Sequence, residues 1–400
     1  MILSICILTY NRAQYLNELL LSIIDSAILD TPKVELIILD NGSTDDTKDV
    51  LNKFSRTLEI QIITKEQNML GGQTYLELFS HSKAEWILCP GDDDILVPKA
   101  LKSAIEVISM LEDHISLAAF EASVVDKSGI RKIGSLIPPS IRERERILAE
   151  LMYKNIYAFP ATFFRRRIID QNKAPKSIVT FDWWLWISGI TDGDVHIENL
   201  QIVKYRQHEA QEQNSYLKDM WLWDRVLSFL FLINESTIND WLHQSSRESI
   251  VQFVHLLSLQ FEQKESLSHS DRLLTVLILI KCLNLHKNTH DLIQPKLVKL
   301  GVDPRLIGVL EGTIVTERDF LNALLRLNPS YENQRQDNLE FSNAKKLRIH
   351  QEFLAELTAK REIEKASEVS TFEWRVLRCM RRLKRLQWLR SVAFLVFRKH

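Results

Sequence analysis

The stretch "CPGDDDILVP", Cys89–Pro98, sets three aspartates side by side where an apolar run ends. Carboxylates repel one another and are costly to desolvate, so something must hold them there. Two readings stay open: a solvated turn or helix cap before Pro98, or a divalent cation that carries an anionic ligand. In an extended segment Asp92 and Asp94 point to one side, about 7 Å apart, while Asp93 points away. Hard oxygen ligands of this kind suit Mg²⁺ or Mn²⁺ and leave room for phosphate oxygens. Other residues invite similar questions. Asp40 closes the run "VELIILD" and could accept a hydrogen bond from a base N–H. Arg12 could pair with a carboxylate or with a phosphate. In "DNGSTDDT", Ser43 or Thr44 is expected to cap a helix, with Asp45 and Asp46 favouring its dipole. Asp182 precedes Trp183, Trp184 and Trp186 in an apolar helix. It is either that helix's cap or a general base beside a hydrophobic or sugar-stacking wall. His208 closes "LQIVKYRQH"; it is either structural or a ligand returning to a metal site.

What positions these residues is legible as a pattern. Four strand-like runs, "ILSICILT", "VELIILD", "LEIQIIT" and "EWILC", alternate with helical stretches in the first hundred residues. Such alternation predicts βαβ units and a parallel sheet covered on both faces. Ligands then bind beyond the carboxyl ends of the strands. After the four runs come "TYNR", "DNGSTDD", "KEQN" and "PGDDD", so every strand sends polar residues to the same edge. Farther on, "PKALKSAIEVISMLED" reads as a helix with Pro98 in its first turn. "SLAAFEASVVD" and "YAFPATFFRRR" read as strands, "FDWWLWISGI" as a short helix and "LQIVKYRQH" as a last strand. Beyond about residue 214 the pattern is helical, with almost no strand signal.

Composition narrows the classes. A formal net charge of −1 gives no pull toward nucleic acid, and none is expected as a partner. The four cysteines lie far apart without a CxxC pair, which suits a reducing, cytoplasmic setting and indicates neither zinc nor a disulfide framework. The opening "MILSICILTYNR" lacks a basic n-region and a small-residue cleavage site, so it is expected to be a strand and not a signal peptide. No G-x-G-x-x-G follows the first strand, which argues against a dinucleotide cofactor, and no G-x-x-x-x-G-K-S/T loop is present.

The ordered set "TYNR … LDNGSTDDT … N … GDDDIL … DWWLW … YRQH" resembles family 2 glycosyltransferases, which share the GT-A fold. The likeness covers roughly residues 1–215. It implies an α/β, doubly wound mixed sheet of GT-A type, followed here by an all-α C-terminal region. It also implies that Thr9, Tyr10, Arg12, Asp40 and Asn68 line a nucleotide pocket. Asp92 and Asp94 match the D-x-D element that meets ribose and metal; Asp93, between them, is counted with the nucleotide-sugar-binding residues. Asp94, Asp92 and His208 are the metal-ligand candidates for Mn²⁺ or Mg²⁺, and Asp182 falls where the acceptor-activating base lies. "NMLGGQTY", with Leu70 and Gln73, departs from the usual glycine-spaced segment, and Phe181 stands where an acidic residue usually precedes the base.

The implied activity is inverting, metal-dependent transfer of a sugar from a nucleotide-diphosphate sugar to a hydroxyl of a glycan or lipid-linked acceptor, in bacterial surface polysaccharide or glycan synthesis. A sugar-1-phosphate nucleotidyltransferase would need a Gly-rich, Arg/Lys-bearing loop after the first strand, which "TYNRAQYL" lacks. A non-catalytic nucleotide-sugar-binding scaffold is the other rival. Three regions are expected: a catalytic domain at 1–215, a helical domain at 216–371 and a basic amphipathic helix at 372–400.

In that last region Val376, Leu377, Met380, Leu383 and Leu386 share one side at about 100° per residue. Arg375, Arg378, Arg381, Arg382 and Arg385 share the other. The pattern fits either a helix packed on the protein or an in-plane anchor on an anionic membrane surface. Each basic residue near such a surface is worth about 1 kcal/mol. Deleting residues 372–400 is expected to release the protein from anionic liposomes in a flotation assay. A full-length chain that ignores such liposomes at low salt overturns the anchor.

Overall fold

The computed structural model describes residues 1–30, 33–69, 72–126, 129–133, 144–151, 156–170 and 181–208. Beyond these it describes 241–242, 244–263, 275–276, 278–279, 282–283 and 289–300. Contacts divide the chain into two compact units, Met1–Ser228 with Glu235–Trp241, and Phe229–Asn234 with Leu242–His400. The boundary expected near residue 215, and the basic region from 372, lie outside the described residues.

In the first unit β1 (Leu3–Thr9), β2 (Val34–Asp40), β3 (Ile60–Thr64) and β4 (Trp86–Leu88) pair in parallel in the order β3-β2-β1-β4. Helices α1 (Ala13–Ser26), α2 (Thr47–Phe54) and α3 (Gly72–Ser80) make the crossovers. The near-continuous apolar runs of β1 and β2 follow from burial on both faces. Ile5, Ile7, Leu36 and Ile38 join one core with Leu16, Leu19 and Leu20 of α1 and with Leu51 and Phe54 of α2. The alternate residues Cys6, Ile37 and Leu39 are buried as well.

The sheet then changes character. β5 (Ile95–Leu96) leads into α4 (Pro98–Ser109), and β6 (Ile115–Asp126) and β7 (Gly129–Ile133) form a hairpin. Next come α5 (Arg144–Leu151), β8 (Thr162–Arg165), α6 (Arg166–Asp170), α7 (Phe181–Asp192) and β9 (Asp194–Arg206). The order continues β4-β8-β6-β9-β5, with β8 antiparallel to both neighbours and β6 parallel to β9. The expected doubly wound mixed sheet is present.

Three departures from the sequence reading have local causes. β9 begins at Asp194, six residues before the predicted strand, because it runs along most of β6. β5 is two residues long and forms only because β9 offers Val203 and Lys204 as partners. "YAFPATFFRRR" divides into a 3₁₀ turn at Phe159–Ala161, β8 and α6. Pro160 supplies no N–H for a ladder at that point.

In the second unit α8 (Arg247–Gln263) and α9 (His290–Lys299) bury Phe253, Val254 and Leu257 on one helix and Ile293 and Leu297 on the other. All regular structure among the described residues of this unit is helical; the rest of the expected helical region lies outside them. Among the described residues no helix is long and apolar enough to cross a membrane.

Arg165 joins the two halves of the sheet. Its side chain is 2% exposed, its Nε donates to the Ile115 carbonyl at 2.9 Å, and its Nη2 donates to those of Leu111 and Glu112. Glu85 pairs with it, and the guanidinium lies 4.1 Å from the Trp86 ring centroid. Arg165→Met keeps much of the volume and strands three carbonyls. The expected loss is about 2–4 kcal/mol, read as a lower urea midpoint at unchanged m value.

Candidate active site

The register pairs Thr9 with Asp40 and Asp40 with Thr64, so β1, β2 and β3 end level. Asn41 then donates its N–H to the Thr9 carbonyl, and Lys65 donates to that of Asp40, both at 2.9 Å. The loops beyond are stitched to one another. Asn11 takes a left-handed backbone (φ 53°), which asparagine tolerates better than most residues. Its N–H donates to Ser43 Oγ at 2.9 Å and its Oδ1 accepts the Thr44 N–H at 2.8 Å. Asp45 Oδ2 accepts from Ala13 N at the start of α1, while Oδ1 accepts from Thr47 N and Oγ1. Burial pushes the Asp45 carboxyl up, but these hydrogen bonds outweigh it and leave it below its ordinary value. Ser43 and Thr44 therefore do not cap α2. Asp46 holds the cap position of α2 without a side-chain bond, and Asp45 accepts the first helical N–H of both α2 and α1.

Asp40 is fully buried. Its Oδ1 accepts the Ser43 N–H at 2.9 Å, and its Oδ2 has no hydrogen-bond partner among the described residues. Asn41, absent from the sequence-level candidates, clamps the loop after β3. Its Oδ1 accepts from Met69 N at 3.0 Å, and its Nδ2 donates to Asn68 Oδ1 and to the Met69 carbonyl. Gly42 permits this approach. At φ 82° a Cβ there would sit 2.7 Å from the Gln67 carbonyl carbon. The "NG" pair in "DNGS" is the sequence signal that could have revealed both.

The three aspartates form a turn, so the side-to-side alternation expected of an extended segment does not apply. Asp92 is half-buried, and its Oδ2 lies 3.4 Å from Tyr10 N. Asp93 Oδ2 meets His208 Nε2 at 2.9 Å. Asp94 is 1% exposed; its Oδ2 accepts from Gly91 N at 2.9 Å and its Oδ1 from Arg206 N at 3.2 Å. Gly91 lets the carboxylates fold over it, since a Cβ would lie 2.8 Å from Asp93 Oδ1 and 2.9 Å from Asp94 Oδ2. Burial, and next the Asp93 charge, push the Asp94 carboxyl well up. The same two causes raise Asp92 to about 7; the Thr9 hydroxyl, the Arg12 guanidinium and the Tyr10 N–H offset only part of that.

The sheet thus gathers Thr9, Tyr10, Arg12, Asp92, Asp93, Asp94 and His208 at one edge, with Asp40 and Asn68 alongside. Asp182 stands apart from this set in sequence and element, in the first turn of α7. Trp183, Trp184 and Trp186 are at most 1% exposed, so they are core packing and not a sugar-stacking wall. α7 is held by the Trp183 Nε1–Leu151 carbonyl bond (2.7 Å) and by Gly189, where a Cβ would lie 2.5 Å from Leu117.

Among the described residues no three His, Cys, Asp or Glu side chains form a group able to hold a metal ion by themselves. The donors present nonetheless suit a hard cation held by one or two carboxylates and completed by phosphate oxygens, a common Mg²⁺ arrangement. The raised Asp92 and Asp94 carboxyls are the groups a cation would relieve.

The class these features define is a mixed α/β domain whose sheet edge gathers polar side chains around an acidic turn. Residues 4–172 match the model described as Glycosyl transferase family 2. Over that stretch the chain is similar to family 2 glycosyltransferases. An uncharacterized glycosyltransferase of Mycoplasma genitalium is 27% identical over 175 residues, 42% of this chain and 56% of the relative. One of Rickettsia typhi is 23% identical over 228 residues, 55% of this chain and 68% of the relative. The matched stretch thus spans little more than half to two thirds of these curated relatives. Among solved structures, S. aureus TarS 1–349 in complex with UDP-GlcNAc is 17% identical with a TM-score of 0.47, covering 75% of this chain and 92% of that one. The mannosyltransferase PcManGT of Pyrobaculum calidifontis, in complex with GDP-Man and Mn²⁺, is 14% identical with a TM-score of 0.41, covering 75% and 86%.

Asp92 has a consequence for stability. An aspartate in the unfolded chain ionises near 4, so with a folded value of about 7 the native state holds the extra proton between these limits. Stability is therefore lost as pH rises through that window. In metal-free buffer Asp92→Asn is expected to stabilise the fold by on the order of 1–3 kcal/mol above pH 7, the gain shrinking toward pH 4. Urea midpoints across that range measure it, and a pH-independent gain contradicts the assignment.

Proposed function

We propose that this chain transfers a sugar from a nucleotide-diphosphate sugar to a hydroxyl acceptor, with inversion at the anomeric carbon. The observation that carries the reading is the convergence of Tyr10, Arg12, Asp40 and the Asp92–Asp94 turn on one sheet edge, within a stretch similar to family 2 glycosyltransferases. Asp40 Oδ2, buried and lacking a donor, suits a nucleobase N–H. Asn68, held by Asn41, and Thr9 and Tyr10 complete the nucleoside side of the pocket. Arg12 is the phosphate-facing cation.

Asp92 and Asp94, with His208 beside Asp93, are the residues that would hold Mn²⁺ or Mg²⁺. When bound, the ion supplies Lewis-acid neutralisation of the departing diphosphate. The chain's own residues do the rest. Arg12 orients the diphosphate, the Asp93 carboxylate keeps His208 at the turn, and Asp182 takes the acceptor proton. Asp182 lies in the first turn of α7. The acceptor is a glycan or lipid-linked hydroxyl in surface polysaccharide synthesis, and a membrane-associated enzyme facing the cytoplasm fits that role.

Asp182→Asn separates a base from a cap, because asparagine caps as well as aspartate. Donor affinity is expected to persist while turnover falls by roughly two to four decades, about 3–5 kcal/mol of barrier. A screen of UDP- and GDP-sugars, with Mn²⁺ and with EDTA, supplies the assay. Near-wild-type turnover in Asp182→Asn returns the residue to capping, and a wild-type chain that binds no nucleotide sugar overturns the reading.

A further inference from the structure

The acidic turn is gripped from a helix that the sequence-level site does not include. On α1, Tyr15, Glu18 and Ser22 follow the i, i+3, i+7 spacing that places side chains on one face. All three reach the unit that carries Asp92–Asp94. Ser22 Oγ accepts the Leu96 N–H at 3.1 Å, which fixes β5 directly after the turn. Glu18 pairs with Arg206 Nη2 at the end of β9. The Tyr15 ring lies against the Arg206 guanidinium, 4.9 Å from its centroid, and against the His208 ring, stacked at 4.8 Å and 22°, with the Arg12 guanidinium at 5.9 Å.

Arg206 and His208 in turn hold the turn itself. The Arg206 backbone N–H donates to Asp94 Oδ1 and its Nε to the Asp93 carbonyl, while His208 Nε2 meets Asp93 Oδ2. Two of the three aspartates are thus fixed by β9, and the β9 side chains are fixed by α1. The Arg206 side chain is 20% exposed and that of His208 13%, so neither contact is fully dissolved in solvent.

We propose that Tyr15 and Glu18 form a latch: they are positioning residues that set the Asp92–Asp94 turn through Arg206 and His208, in readiness for a cation-bound diphosphate. The ligand half rests on the transferase reading above; the latch itself does not. Partners one shell removed from a metal ligand typically alter affinity by 10–100-fold. Tyr15→Leu removes the ring face and keeps an apolar side chain, whereas Tyr15→Phe keeps the face.

Calorimetry of UDP and of GDP in the presence of Mn²⁺ is expected to show about tenfold weaker binding for Tyr15→Leu, and near-wild-type binding for Tyr15→Phe. Urea midpoints are read alongside, since a merely structural role lowers the midpoint of Tyr15→Leu without changing nucleotide affinity. Where the wild type binds, equal affinity in Tyr15→Leu overturns the latch, as does an equal loss in both variants. Hydrogen exchange of peptides covering 89–97 and 200–208, without ligand, separates the two readings. Faster exchange there in Tyr15→Leu supports the latch even if the wild type binds neither nucleotide, an outcome that would defeat the transferase reading alone. Unchanged exchange overturns the latch.

Discussion

Three adjacent carboxylates in one tight turn are the constraint around which this edge of the molecule is organised. Their mutual repulsion grows as they leave water, and Asp94 has left it almost completely. The chain answers with directed N–H groups. Gly91 N and Arg206 N each meet one Asp94 oxygen, and His208 meets Asp93. Asp92 has a long contact from Tyr10 N, with the Thr9 hydroxyl and the Arg12 guanidinium nearby, and burial still raises its carboxyl to about 7. The pattern is asymmetric: Asp93 and Asp94 are tied to His208 and Arg206, while Asp92 faces Thr9, Tyr10 and Arg12.

That constraint explains a sheet that is otherwise odd. A two-residue β5 contributes almost nothing to ladder energy, and its value is geometric. It hands the chain from the acidic turn to β9, with Val97 N bonded to the Ile202 carbonyl, before Pro98 starts α4. β9 is long because it runs along β6 and ends at Arg206, beside the acidic turn. The same need for reach across the sheet places Arg165, a buried cation, between β4 and the turn that precedes β6.

How much of this could be read in advance follows a physical division. The parallel half was legible because β1, β2 and β4 are near-continuous apolar runs, and burial on both faces leaves that mark on any sequence. The edge carrying Tyr10, Asp40 and Asp92 was legible for the same reason: polar residues that end such a run have one place to go. What failed was local geometry decided by partners far along the chain. The alternation argument for Asp92, Asp93 and Asp94 presumed an extended segment, and the turn closed by Asp94 Oδ2 on Gly91 removes that premise. Ser43 or Thr44 was the natural cap by composition, but Asn11, 32 residues before Ser43, claims the Ser43 hydroxyl, and Asp45 accepts the first N–H of α2 instead. Tyr15 and Glu18 carry no motif, since their role exists only once β9 arrives beside α1.

The tryptophans of α7 show the reverse error, in which a chemically suggestive cluster turns out to be packing. Trp183, Trp184 and Trp186 follow a candidate base and invite a sugar-stacking role, yet all three are buried. Their bulk has a different consequence. Large rings within the helix, with Gly189 pressed against Leu117, leave α7 little freedom to slide or rotate, because interiors packed at crystal-like density resist such shifts. A carboxylate in the first turn of a helix so anchored keeps a fixed position relative to β6 and β9, whether it serves as a base or as a cap. Preorganisation of Asp182 then comes from the core behind it, while preorganisation of the acidic turn comes from side chains that reach across from α1 and β9. These two carboxylate positions are thus held by different means, one by apolar volume and the other by hydrogen bonds and ring contacts.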